Sequence, residues 1–379
     1  VNEGEFAGLK KQVAAFVEEP GEVYAKQIER SGELPPQLWG ELRERGYLSL
    51  TAPAHYGGRG IGFSQYLDLL ELFSMSHGAL RMMVHVANGI WRAIDRFATE
   101  EQRDRFVRPV VAGERRTAFA LTEPTGTGAD LRSSVLRDGD AYLLTGEKQM
   151  ISFGVDCDYW LLFARLAGTS GREGTVALMV DRRTPGVEVR RMAPTMGVRG
   201  VDTAHLVFDR ARVPVANRLG EEGRGLEVAL GGFLAPSRIA VAISCVGLAR
   251  RAHELAVGHA LRRETFGRPL AARQAIQFMI AENATDIEAA RQLALHAARR
   301  WEADSPEAPG LSSMAKLNAV EALTRVTDKA LQIHGGIGYW ESHPMARIYR
   351  DARCQRFEEG TNETQKAVIS RAIMESRQS

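Results

Sequence analysis

Residues 120–131 read ALTEPTGTGADL, and they stand where the pattern of the chain changes. A Thr-Glu-Pro step followed by closely spaced glycines predicts a loop. On its N-terminal side, residues 1–116 predict helices with short polar joints. In PPQLWGELRERGYLSL, Leu38, Leu42 and Tyr47 recur near helical spacing with charges between them. SQYLDLLELFSMSHGALRMMVHVANGIWRAI predicts one long apolar helix whose Met and aromatic positions belong to a core. HYGGRGIG, 55–62, predicts a loop of turn glycines with no helix behind them to hold a phosphate.

On the C-terminal side, AYLLTG, YWLLFAR, TVALMVD and AHLVFD are short β-branched and aromatic runs separated by turn signals such as RDGD and TPGV. They predict a β domain over 117–225, closing near PVANRLGEEGRG. From 226 to 379 the helical period returns. In RQAIQFMIAENATDIEAARQLALHAARRW, Ile276, Met279, Ile280, Ile287 and Ala290 share a face while Glu282, Asp286 and Arg291 occupy another. Long amphipathic helices without strands predict a bundle. The order helical, β, helical argues against a doubly wound nucleotide-binding sheet. GxGxxG after a strand, GxxxxGK[ST], GxSxG and HExxH are all missing from the sequence.

The 379 residues are 44% hydrophobic and 25% charged with a formal net charge of +2. That predicts a globular chain of two or three domains. Acidic residues interleave with the basic ones, so no nucleic-acid-tracking surface is predicted. Cys157, Cys245 and Cys354 lie far apart with no ligand spacing, which predicts a reducing compartment and no structural metal. The start, VNEGEFAGLKKQVAAF, lacks a secretory pattern, so the expected location is cytoplasmic. The apolar run IAVAISCVGLA, 239–249, is too short to span a bilayer and predicts a buried helix.

Near the C-terminus, RFEEGTNETQ (356–365) sets Glu358 beside Glu359 and then breaks a helical pattern with Gly360 and Thr361. Two solvated carboxylates closing a surface helix are one reading, and a catalytic carboxylate is the other. Four stretches bear on that choice: ALTEPTGTGADL, GEKQMISFG (146–154), RRETFGRPLAARQAIQ (262–277) and ALQIHGGIGYWESHPMARIYRDARCQRFEEGTNETQ (330–365). In this order and at these separations they resemble the acyl-CoA dehydrogenase family, FAD enzymes that desaturate acyl thioesters at Cα and Cβ. The resemblance covers nearly the whole chain. It implies an N-terminal helical domain, a central antiparallel β-barrel or sandwich, and a C-terminal four-helix bundle.

The resemblance also implies roles. Thr122 of TEP is expected to meet the flavin's polar edge, and Ser152 stands where the family has a threonine near flavin N5. The TEP segment is one residue longer than the family's, and Ala129 stands where a substrate-side serine is common. Met150 replaces the family's tryptophan. Arg263, Thr265 and Phe266 match positions that reach the flavin diphosphate across a dimer interface, where guanidinium and hydroxyl groups suit phosphate oxygens. Gln274, Gln332, Gly335 and Gly336 match contacts to the adenylate half, and Thr361 a contact to the cofactor. Glu363 and Gln365 fall near the adenosine side, and His334 is a packed or capping residue. Gly360 and Arg238 fall by the acyl pocket, where Arg238 reads equally well as a buried structural residue.

By the same resemblance the base that removes the α-proton is the glutamate before Gly-Thr, Glu359, with flavin N5 accepting the β-hydride. Neighbours in a regular helix are about 100° apart, so Glu358 is not expected to share its pocket. A minority of the family carries its base one residue before the arginine matching Arg238. Here that residue is Ser237, which cannot serve. An electron-transfer flavoprotein as acceptor and a homotetramer follow from the resemblance. A carrier-protein-bound acyl substrate, a flavin oxidase or monooxygenase, and a non-catalytic flavin-binding scaffold are the alternatives.

Overall fold

The computed structural model of the chain describes residues 2–125 and 130–375. Ala129 therefore lies outside the described residues. The chain opens on α1 (Glu3–Glu18), α2 (Pro20–Ser31), α3 (Gln37–Glu44), α4 (Phe63–Phe73) and α5 (Gly78–Asp95), then the short α6 (Glu100–Gln102) and α7 (Arg108–Val111). Asn2 and Glu5 start α1 with a reciprocal capping box. The single long helix expected over α4 and α5 is two helices. His77 makes the break by turning its Nδ1 onto the Ala79 amide at 3.0 Å, which caps α5. A second expectation fails at the glycine loop, since α4 begins immediately after Gly62. Its first turn is already occupied by a carboxylate: Glu302 accepts from the Ser64 amide at 3.0 Å and from its hydroxyl at 2.5 Å.

The β region holds β1 (Thr117–Ala120), β2 (Ser134–Asp138), β3 (Ala141–Ser152), β4 (Tyr159–Leu166), β5 (Thr175–Asp181), β6 (Val187–Arg191), β7 (Thr203–Pro214) and β8 (Arg218–Gly223). They form one sheet in the order β6-β7-β3-β2-β4-β5-β8, with β1 also on β4. The sheet is mostly antiparallel, as expected, with two parallel pairings added on β4. β1 runs parallel to β4 from Thr117 opposite Tyr159, and β2 runs parallel to the same strand from Ser134 opposite Arg165. Both segments thus follow one edge of β4 in one direction. The TEP loop is an excursion between them, not a hairpin. Glu123 anchors the excursion by accepting from the amides of Arg132 and Ser133, at 2.5 and 3.1 Å, and from the buried Lys148 ammonium at 2.6 Å.

After α8 (Gly225–Glu227) a π-helical segment, Val228–Leu234, leads into α9 (Ala235–Arg262). A two-stranded ribbon, β9 (Glu264–Thr265) and β10 (Arg268–Pro269), precedes α10 (Gln274–Glu302), α11 (Ala308–His334), α12 (Pro344–Cys354) and α13 (Asn362–Glu375). α9, α10 and α11 pack on one another, and α13 lies on α11. IAVAISCVGLA falls in the buried part of α9. Residues 225–262 are long and apolar enough to cross a membrane, yet most of that length is buried inside the protein. The two helical ends of the chain share one core, with Phe16, Phe73 and Leu80 packed in the same cluster as Ile243, Val320 and Ile348. Asp351 of α12 ties this core to the sheet region, accepting from the amides of Gly78 at 3.2 Å and Val198 at 2.5 Å.

Candidate active site

Glu358 and Glu359 lie in the connection between α12 and α13, not in helix. Helical spacing is therefore not what separates them. Glu359 adopts a left-handed backbone, φ 53°, and Gly360 follows at φ 97°. For a glutamate that conformation is costly and needs the surroundings to impose it. They do so through the carbonyls. That of Glu359 accepts from Arg238 Nε at 3.3 Å and Gln365 Nε2 at 3.0 Å; that of Gly360 accepts from Lys316 Nζ at 2.7 Å and again from Gln365 Nε2 at 3.0 Å. That φ favours glycine at 360, and a Cβ there would also sit 2.9 Å from Gln365 Nε2 and displace it.

The reversal throws the two side chains apart. Glu358 pairs through both oxygens with Arg81 of α5, at 2.8 and 3.0 Å, in the buried interior. Glu359 instead turns toward the start of α9, where Ser237 Oγ donates to its Oε1 at 2.8 Å. Burial pushes the Glu359 carboxyl up from its ordinary range to about 7, against the lowering pull of the Ser237 hydroxyl and of Arg238 and Arg81. Ser237 is also 2.7 Å from His85 Nε2 of α5. Phe233, one turn before Ser237, lies 6.2 Å from the His85 ring and stacks at 4.6 Å on Phe119 of β1, three residues before Thr122. The base candidate and the TEP loop are thereby connected through one packed path.

Arg238 is buried and meets no carboxylate side chain among the described residues; its Nη1 reaches Ser313 Oγ at 3.4 Å. The Thr361 hydroxyl accepts from the Thr364 amide at 3.4 Å, capping α13. Thr122 and Ser152 are half-buried, with no hydrogen-bond partner for either hydroxyl among the described residues. Met150 sits in a bulge of β3 at φ 56°, exposed, with its amide on Met192 Sδ at 3.4 Å. His334 is buried with Nδ1 on the Ala330 carbonyl at 2.8 Å.

The structure does not gather all the sequence candidates in one place. Ser237 opens α9 and Arg263 closes it, a span of roughly 40 Å at 1.5 Å per residue. Arg263, Thr265, Phe266 and Gln274 thus lie far from Glu359 of the same chain. Gln332, Gly335 and Gly336, at the end of α11, are likewise exposed. Phe266 and Gly267, both left-handed, make the two-residue turn between β9 and β10, and the Phe266 ring is 96% exposed. Arg273 braces this tip, bonding the Thr265 carbonyl and hydroxyl with its guanidinium 5.5 Å from the Phe266 ring.

These donors fit a dinucleotide cofactor. The exposed Arg263 guanidinium has no carboxylate partner among the described residues, and the backbone at Gly335 and Gly336 has open space where a side chain would stand. Sequence reasoning missed His85, Arg81, Lys316 and Arg273. A lone histidine in an apolar helix carries no local signal, and Ser237 was legible only as the absence of a carboxylate.

Family models match along the chain: the acyl-CoA dehydrogenase N-terminal domain over residues 5–114, the middle domain over 118–211 and the C-terminal domain over 223–374. The chain is 36% identical over 372 residues to an acyl-CoA dehydrogenase of Bacillus subtilis, covering 97% of each. It is 34% identical over 352 residues to the caffeyl-CoA reductase-Etf complex subunit CarC of Acetobacterium woodii, covering 92% of each. It superposes on the butyryl-CoA dehydrogenase of Megasphaera elsdenii with a TM-score of 0.93 at 31% identity, covering 99% of each chain. The chain belongs to the acyl-CoA dehydrogenase family of FAD-dependent oxidoreductases.

Proposed function

We propose that the chain interconverts an acyl thioester and its α,β-unsaturated counterpart, with Glu359 as the group that exchanges the α-proton. The observation that supports this most is the environment of Glu359: a half-buried carboxyl raised to about 7, bonded through one oxygen and held on an imposed left-handed backbone. A base for a weakly acidic C–H works best when its own affinity for the proton lies near the working pH. An acyl chain bound beside Glu359 would remove more water and strengthen that affinity. Arg238 and Lys316, bonded to the carbonyls of Glu359 and Gly360, fix the backbone, so the carboxyl keeps its place when its charge changes.

Bound FAD supplies the acceptor for the hydride leaving Cβ. Thr122 and Ser152 would hold its flavin end. Thr361, two residues after Glu359, would contact the cofactor from the same side, while Arg263, Thr265, Phe266 and Gln274, with Gln332, Gly335 and Gly336, would hold the diphosphate and adenylate from a second subunit of a homo-oligomer, a tetramer in this reading. Arg238 and Gly360 border the acyl thioester. An electron-transfer flavoprotein is the acceptor we propose, and the likeness to a reductase subunit of an Etf complex supports that choice. The three free cysteines suit a reducing cytoplasm.

A second direction of the same chemistry is favoured by one observation. A carboxyl near pH 7 is half protonated at neutrality, so Glu359 is equally equipped to return a proton to Cα of an enoyl thioester. Anaerobic flavin bleaching by acyl-CoAs of varied length and branching, by acyl-carrier conjugates, and the reverse reoxidation by enoyl-CoAs, tests the assignment. Bleaching by at least one acyl-CoA supports it; bleaching by carrier conjugates alone, or fast reoxidation by oxygen, contradicts the acyl-CoA dehydrogenase reading.

A further inference from the structure

Ser237 Oγ stands between two partners that no single proton satisfies in the same way, Glu359 Oε1 at 2.8 Å and His85 Nε2 at 2.7 Å. An ionised Glu359 can only accept, so the one hydroxyl proton of Ser237 goes to Oε1. Ser237 Oγ then accepts, and His85 must donate from Nε2–H. Burial pushes the His85 imidazole down to about 3, with the nearby Arg81 and Arg92 charges adding to it, and keeps it neutral. Its Nδ1 has no partner among the described residues. A buried unpaired lone pair is better tolerated than a buried unpaired N–H, which again puts the single proton on Nε2.

We propose that His85 and Ser237 are positioning residues for the base: neutral His85 fixes the direction of the Ser237 hydroxyl, which occupies Glu359 Oε1 and leaves Oε2 to take the α-proton. The inference rests on Glu359 being the base. The arrangement persists through turnover. When the proton arrives on Oε2, Oε1 becomes the carbonyl oxygen of a neutral acid and still accepts from Ser237, so neither Ser237 nor His85 reorients. The same bond stabilises the carboxylate and opposes the burial that raises it.

The other groups facing Glu359 come from each element packed around it. They are Arg81 and His85 on α5, Ser237 and Arg238 on α9, Lys316 on α11, and Glu358 beside it. Glu358 is already matched by Arg81, and Lys316 is spent on the carbonyls of Arg356 and Gly360. Ser237 is the neutral donor that touches the carboxyl itself.

The test is the pH dependence of substrate-driven flavin bleaching in FAD-loaded enzyme, joined to an infrared titration of the carboxyl band that Glu359→Gln removes from substrate-free protein. Ser237→Ala is expected to move both midpoints up by about one pH unit. The bleaching rate at pH 7 then falls about fivefold and recovers at higher pH. His85→Leu should shift the midpoint in the same direction by less, while His85→Gln, which restores an N–H donor, and Ser237→Thr should stay near wild type. Cofactor content and Tm identify any variant that has lost its fold, and Ser237→Gly then replaces Ser237→Ala. An unmoved midpoint in Ser237→Ala, with bleaching lowered equally at every pH, overturns the relay while Glu359→Gln remains inactive. If Glu359→Gln bleaches like wild type, the underlying assignment of the base fails instead.

Discussion

At the scale of single residues, the two adjacent glutamates carry opposite assignments because the backbone reverses at Glu359. Burial raises the Glu359 carboxyl from its ordinary 4.5 to about 7. Across that window the folded chain keeps a proton that the unfolded chain has released, so stability falls as pH rises through it. Glu359→Gln removes the penalty. Its unfolding free energy, read from urea denaturation, is expected to exceed wild type at pH 8 by about 2 kcal/mol after allowing for the solvent reaching a half-buried group, and to equal it at pH 4. Glu358 behaves the other way. Glu358→Ala strands the buried Arg81 guanidinium and is expected to cost about 3 kcal/mol in urea unfolding, much of it recovered in Glu358→Leu with Arg81→Met. The choice of Glu359 as base came from EGT and the family resemblance, whereas its contact with Ser237 comes from the fold. The reason given for separating it from Glu358, helical spacing, was not the operative one. Nothing local in the sequence announces that a chain will turn left-handed at a non-glycine position.

At the scale of elements, the long helices declared themselves through periodicity, and the four β runs fell in β3, β4, β5 and β7. What the pattern did not carry was pairing. Short apolar runs show that strands exist, but not that a loop leaves β4 at Ala120 and rejoins the same edge at Ser134. The His77 break between α4 and α5 was hidden because apolar residues continue through it. The ETFGRP ribbon was expected by resemblance to contact a cofactor, and its geometry comes from Arg273 and the Phe266–Gly267 turn. The Phe266 ring at the tip of this ribbon is 96% exposed, as a donor of contacts to a second subunit would be. Arg263→Met is therefore expected to weaken FAD retention about tenfold, by the loss of one charge-assisted contact, and Phe266→Ala to weaken it together with subunit association. Equilibrium dialysis of FAD and sedentation velocity by analytical centrifugation check the pair; unchanged retention in Arg263→Met would remove the ribbon from the cofactor site.

At the scale of the whole molecule, the helical, β, helical order was readable from composition and period alone. That the two helical ends close over a common core was not, because the contacts join residues hundreds of positions apart, as in Phe73 with Ile348 in one cluster. That closure sets α5 against α9 and so brings Arg81 and His85 to the glutamates. The site therefore exists only in the assembled fold. Its central element is the carboxyl of Glu359, and anaerobic bleaching of enzyme-bound FAD by an acyl-CoA that bleaches the wild type measures it most directly. Glu359→Gln is expected to retain FAD and bind the thioester yet slow bleaching by at least a thousandfold, while Glu358→Gln bleaches within about tenfold of wild type. Near-wild-type bleaching in Glu359→Gln together with its loss in Glu358→Gln would contradict the assignment.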